Sequence, residues 1–393
     1  MSDEFMLAYS IVNAGDKVGK VVSIPKPKAE PGFALIKVLR AGVCNTDLEI
    51  LKGYMGFQGV LGHEFVGIVE DVESSDNDKQ EWIGKRVCGD INVGCATCSV
   101  CTNSKHLDQC CSKMSRNHCP NRTVLGILNR NGTMAEYLTL PIRNLHVVPD
   151  DIPDEVAVFA EPLAAACRIL EQGLINYADV DSSLSSSSTS YVSNSDRVAI
   201  LGDGKLGLLI AEVLGREHTR RCPPATPKPT LFGKHPHKLD LVAESGVERK
   251  LVSDCQDDTS VPGNVAPSYA GIYDVVIDAT GSPSGLTLAA GLCRPMGTLV
   301  LKSTCAVGNQ FNTAPFVIDE LRVIGSRCGP IDQALHILAE IDSREMIKPL
   351  DLQKYITKSF SLKEAEQAIQ FAAERSTMKV QIICSDLGRQ DMP

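Results

Sequence analysis

Short apolar runs separated by turn formers dominate the first third of the chain. Phe33-Ala34-Leu35-Ile36-Lys37-Val38 and Glu64-Phe65-Val66-Gly67-Ile68-Val69 are rich in β-branched and aromatic residues, and they predict strands. Ala135 to Leu140 and Leu145 to Val148 read the same way. Between these runs, residues 91–122 form a cysteine-laden loop. The period then changes. Val156, Phe159, Leu163, Ala166, Cys167 and Leu170 recur at helical spacing and predict a buried helix within 154–175. Pro162 is expected to bend or restart it.

A serine-rich stretch from Ser182 to Ser195 has the composition of a solvated linker. After it, the pattern alternates between strand and helix. Arg197 to Leu201 is a buried-strand run, and Leu208 to Leu214 continues as an apolar helix. Asp274 to Asp278 and Thr298 to Leu301 are further strands. This alternation predicts a doubly wound parallel sheet, giving an α/β fold in which a β-rich region precedes a nucleotide-binding region. The tail, helical from Leu362 to Phe371 and extended from Lys379 to Ile383, need not join that sheet.

Composition narrows the function classes. The chain has 393 residues, 43% hydrophobic and 22% charged, which is enough for two globular domains. A net charge of −9 speaks against nucleic acid or an anionic membrane surface as partner. No apolar run approaches the ~18 residues of a membrane span. The acidic start lacks the basic region of a secretory signal. The fifteen cysteines, many at metal-like spacing, point away from a disulfide framework and toward a reducing, cytoplasmic compartment.

Three motifs carry chemistry. Cys44 and Gly62-His63-Glu64 offer a thiolate, an imidazole and a carboxylate, and Glu161 offers a second carboxylate. That donor set suits a zinc ion with room for substrate. Asp47 is placed to fix the His63 tautomer, and the Thr46 hydroxyl to pass a substrate proton. Cys95-x-x-Cys98-x-x-Cys101 suits a closed structural zinc site, with Cys110, Cys111 and Cys119 competing as fourth ligand. Gly202-Asp203-Gly204-Lys205-Leu206-Gly207 joins a strand to a helix, the context of a dinucleotide-binding turn. The next strand-like run has Gly233 where an acid would read the ribose of NAD. Lys234, His235 and Lys238 follow, which favours the 2′-phosphate of NADP.

Together these residues resemble the zinc-containing medium-chain alcohol dehydrogenase superfamily. The resemblance runs from Ala41-Gly42-Val43-Cys44-Asn45-Thr46-Asp47 through the cysteine lobe to Asp278-Ala279-Thr280-Gly281-Ser282. Glu161-Pro162-Leu163-Ala164 is similar to the polyol, glucose and threonine dehydrogenase branches. The resemblance implies a GroES-like catalytic domain over 1–165, with its zinc lobe at 91–122. A Rossmann domain would take 166–327, and 328–393 would return to the catalytic domain. It implies Cys44, His63, Glu64 and Glu161 at a catalytic zinc, with Thr46 as proton relay. It also implies Cys95, Cys98, Cys101 and, through Cys119-Pro120-Asn121, Cys119 at a structural zinc. The expected reaction is reversible hydride transfer between an alcohol, polyol or sugar and NADP or NAD, in a homodimer or homotetramer. Two alternatives are a threonine- or glucose-type dehydrogenase and a nonenzymatic, zinc-stabilised nucleotide-binding or redox-sensing protein.

Overall fold

A computed structural model describes residues 4–13, 15–102, 117–177, 195–257, 264–303, 312–339 and 350–385. Cys110, Cys111 and nearly all of the serine-rich stretch lie outside these residues. The chain divides into two compact units. One holds the chain up to Ala164, together with described residues from Pro330 and from Leu350 onward; the other runs from Ala165 to Gly329.

In the first unit, the strand Phe33–Val43 is the hub. Eight of its eleven residues are buried, so its pattern is a continuous apolar run rather than an alternation. It pairs antiparallel with Glu64–Glu73, Lys379–Ile383 and Tyr137–Pro141. The register sets Gly42 opposite both Glu64 and Gln381. Three segments distant in sequence therefore meet at one end of this strand, just before Cys44. The tail belongs here: Lys379–Ile383 also pairs parallel with Ile356–Ser361.

One feature departs from the sequence pattern, and one expected from it, a restart of the helix near Pro162, is met. The strands Phe5–Ile11 and Lys20–Pro25 pair antiparallel in a three-stranded sheet with Gly59–Val60, a sheet that the apolar runs did not mark. The predicted helix over 154–175 is two helices, Asp154–Ala157 and Ala160–Glu171. The break precedes Pro162, which sits in the first turn of the second helix. A proline is tolerated there because the N–H it lacks would have no intrahelical acceptor.

In the second unit, Glu248–Leu251, Thr230–Gly233, Val198–Leu201, Tyr273–Asp278, Cys293–Leu301 and Arg322–Gly325 lie in that order, all parallel. Val198–Leu201 and Thr230–Gly233 are buried throughout, as expected for strands covered on both faces. Phe232 packs edge-on against Tyr273, with ring centroids 6.0 Å apart. The strand order reverses between Val198–Leu201 and Tyr273–Asp278. In open parallel sheets the carboxyl ends at such a switch point are where ligands bind. Among the described residues, no helix is long and apolar enough to cross a membrane.

Candidate active site and metal centres

Cys44 caps the helix Asn45–Leu51, and Asp47 in the first turn ties the motif together. One Asp47 oxygen accepts the Cys44 backbone N–H at 2.8 Å, and the other accepts the Gly62 N–H at 3.2 Å. That second oxygen also lies 3.4 Å from His63 Nδ1. One buried carboxylate thus fixes the segments that carry Cys44 and His63. The Cys44 thiol lies 3.8 Å from Thr46 Oγ1, so the hydroxyl belongs to the same cluster.

The ligand atoms of Cys44, His63 and Glu64 all lie within 4.8 Å of one another. Glu161, on the first turn of Ala160–Glu171, does not join this trio. It still senses the site. Burial pushes its carboxyl up to about 7, partly offset by the nearby His63. Burial works against a charged His63, but the Asp47 carboxylate and the Cys44 sulfur outweigh it and hold the imidazole well above its ordinary pKa.

Lys379 is a participant that the motifs did not reveal. Its Nζ lies 2.5 Å from Glu64 Oε2, and both side chains are buried. Burial alone would depress this ammonium, yet the Glu64 charge holds its pKa above the ordinary value. The one available signal was a lysine inside the apolar run Met378 to Ile383. Gly42 makes room for the pair, since a Cβ there would stand 2.0 Å from Glu64 Oε2.

The trio fits a metal ion. It combines a thiol, an imidazole and a carboxylate, the mix that zinc accepts. Glu64 Oε1 is buried without a hydrogen-bond partner among the described residues, an arrangement that costs free energy unless another group satisfies it.

The second cluster is made of thiols alone. The sulfurs of Cys95, Cys98, Cys101 and Cys119 lie within 4.8 Å of one another. Cys98 and Cys119 are 3.7 Å apart, close to the edge of about 3.8 Å that a zinc–thiolate tetrahedron with bonds of about 2.3 Å requires. Hydrogen bonds from Thr97 and neighbouring backbone lower Cys95 to about 5, while burial raises Cys101 to about 12. Four such sulfurs cannot all ionise together without a cation among them, so this set also fits zinc.

In the second unit, Val198–Leu201 runs into Gly202, whose φ of 109° only glycine adopts readily. The helix Lys205–Arg221 follows, with Gly204 at its N-cap and nothing within 4 Å of where a Gly204 Cβ would be. A Cβ on Gly207 would stand 1.9 Å from the Gly202 carbonyl oxygen, so helix and turn close only over glycine. Lys205 and Leu206 occupy the first helical turn. Beyond the strand Thr230–Gly233, Lys234 is exposed and His235 partly so, whereas Lys238 is buried on the short helix Pro236–Leu239. The structure therefore does not present all three basic residues alike. Sequence reasoning also passed over Asp203, whose carboxylate reaches the backbone of Lys234 and His235.

Residues 30–150 match the family described as alcohol dehydrogenase GroES-like domain, and residues 226–343 the one described as zinc-binding dehydrogenase. The chain belongs to the zinc-containing medium-chain alcohol dehydrogenase superfamily. Its fold is GroES-like plus Rossmann-type, and it is an oxidoreductase of the zinc-type alcohol/polyol dehydrogenase class, acting on CH–OH donors with zinc and a nicotinamide cofactor. The chain is 26% identical to a D-arabitol-phosphate dehydrogenase of Enterococcus avium, over 92% of each chain. It is 27% identical to an L-threonine 3-dehydrogenase of Chelativorans sp., over 90% of this chain and 91% of the other. A zinc-binding dehydrogenase of Sinorhizobium meliloti, solved with NADP, superposes with a TM-score of 0.73 at 25% identity, over 96% of this chain and 99% of the other.

Proposed function

We propose that this dehydrogenase oxidises polyols or related secondary alcohols. Cys44, His63, Glu64 and Glu161 would serve a catalytic zinc, and Cys95, Cys98, Cys101 and Cys119 a structural zinc. The observation that carries the reading is the convergence of the Cys44, His63 and Glu64 donors within 4.8 Å. The arabitol-phosphate relative supports a polyol, and the threonine relative supports a 3-hydroxy amino acid as the second reading.

Zinc held by these residues would supply Lewis acidity, and a bound nicotinamide would supply the hydride acceptor. In overall balance, oxidation of the alcohol would remove a hydride from the carbinol carbon and a proton from its hydroxyl. Thr46 Oγ1, beside the Cys44 sulfur, would relay that proton, taking it from the substrate hydroxyl while giving its own hydroxyl proton on to solvent water. Asp47 orients both the Cys44 and the His63 segments. Lys379 neutralises Glu64 from behind. Glu161, with a pKa of about 7, holds or releases a proton near neutral pH.

NADP is the preferred cofactor in this reading, supported by Lys234 and His235 beyond the strand Thr230–Gly233 and by the NADP in the Sinorhizobium structure. The Gly202–Gly207 turn would take the pyrophosphate. The domain limits proposed from sequence, 1–165, 166–327 and 328–393, stand beside the two compact units. A homodimer or homotetramer is supported by the outermost strand of the second unit, Arg322–Gly325, where Val323 is exposed. Met296, Val317 and Ile318 of the same unit are 66%, 74% and 76% exposed. A reducing, cytoplasmic setting suits thiols that must stay free for metal.

The test is absorbance of the reduced nicotinamide, with NADP or NAD offered beside polyols, polyol phosphates, sugars, secondary alcohols and threonine. Turnover on a polyol that chelation abolishes is the expected result. Turnover unaffected by complete zinc removal would overturn the reading.

A further inference from the structure

The strand Thr230–Gly233 ends in glycine, where a nucleotide fold of this type commonly ends in an acid that accepts the adenosine ribose 2′-hydroxyl. An acid reaches the same place from another segment. Asp203, inside the glycine turn, lies over the end of this strand: a Cβ on Gly233 would stand 2.7 Å from Asp203 Cβ and 2.9 Å from its Oδ2. Asp203 therefore fills the volume that a strand-end side chain would take. Its Oδ2 accepts the backbone N–H of Lys234 at 2.7 Å and of His235 at 2.6 Å, and lies 2.9 Å from His235 Nδ1. Oδ1 takes part in none of these bonds. The carboxylate is only 11% exposed, so these contacts fix its direction.

We infer that Asp203 is the ribose acceptor of the cofactor site, supplied by the glycine turn instead of the strand end, and that it lets NAD compete with NADP. This rests on the reading of Gly202–Gly207 as the cofactor turn. A ribose 2′-hydroxyl donates to a carboxylate. A 2′-phosphate carries about two negative charges and is repelled by it, while Lys234 and His235 attract the phosphate. The two influences oppose each other within one turn. The basic residues alone would select NADP, and Asp203 moderates that selection.

The adenosine end can be tested without zinc or turnover. Calorimetric titration of the full chain with AMP and with adenosine 2′,5′-bisphosphate reads the subsite directly. Asp203→Asn keeps an oxygen for the turn's N–H groups and removes the charge. Its ratio of bisphosphate to AMP affinity is expected to rise roughly tenfold or more. Asp203→Gly combined with Gly233→Asp moves the acid to the strand end and is expected to restore the wild-type ratio. An unchanged ratio in Asp203→Asn, or equal loss of both ligands, would overturn the inference by reducing Asp203 to a clamp on the turn. If the unaltered chain binds neither ligand, the cofactor-turn reading itself fails, and the inference with it.

Discussion

The two metal-type clusters are built in opposite ways. Cys44, His63 and Glu64 stand among paired strands, with Asp47 and Glu64 fully buried and His63 nearly so. Asp47 and Lys379 hold their partners by hydrogen bonds and charge whether or not an ion is present. Among the described residues, the four-thiol cluster rests on local contacts of the loop itself, such as the Cys98 N–H and the Thr97 hydroxyl donating to the Cys95 sulfur. Its neighbours are the two-residue strand Asn92–Val93 and the four-residue helix Ser99–Thr102, and only Cys119 of the four is buried. A site embedded in a sheet keeps its shape and uses the metal for chemistry. A site on a loop uses the metal to have a shape at all.

Substitutions can separate the two. Cys44→Ser should cut turnover roughly thousandfold or more, as expected when several kcal/mol of transition-state stabilisation are lost. Its melting temperature should stay near that of the unaltered chain, measured by calorimetry. Lys379→Met should cost about 3–5 kcal/mol in denaturant unfolding, because it strands the Glu64 charge in the interior. Lys379→Met with Glu64→Gln should recover part of that loss, and full additivity of the two single effects would contradict the pairing. Cys98→Ser should lower stability by roughly 2–5 kcal/mol, with new proteolytic cuts in the lobe at 91–122. Intact metal content and an unchanged cleavage pattern in that variant would remove the contrast.

The smallest expected effect is a pH dependence in metal-stripped protein. Burial raises the Glu161 pKa from an unfolded value near 4.5 to about 7, so the folded state binds this proton more tightly. The stability it contributes is complete below about pH 4.5 and fades as pH rises through about 7, roughly 3 kcal/mol in all. Glu161→Gln should flatten that slope in thermal scans from pH 4 to 8. The same slope in the variant would assign it to another group.

The motifs were legible because their residues are close in sequence or separated by turns of regular length. Cys95-x-x-Cys98-x-x-Cys101 wraps a single loop, and the Gly202–Gly207 turn announces itself by the strand before it and the helix after it. The buried sheet strands were legible as apolar runs. Lys379 was not, because its partner Glu64 is 315 residues away and only the sheet register joins them. Asp203 was hidden for a different reason: its role depends on which way one side chain leaves a turn, and periodicity says nothing about that. The strands Phe5–Ile11 and Lys20–Pro25 escaped because the second is largely half-exposed, so its apolar signal is weak. The helix restart was legible in Pro162, which stands in the first turn of Ala160–Glu171, where a proline is tolerated.

Zinc counted per chain, in the unaltered protein and in Cys44→Ser, tests the central claim most directly. Two ions in the first and one in the second, with the melting temperature preserved and turnover lost, is the predicted result. Equal zinc in both, or loss of both ions together with unfolding, would contradict the separation of a catalytic from a structural site.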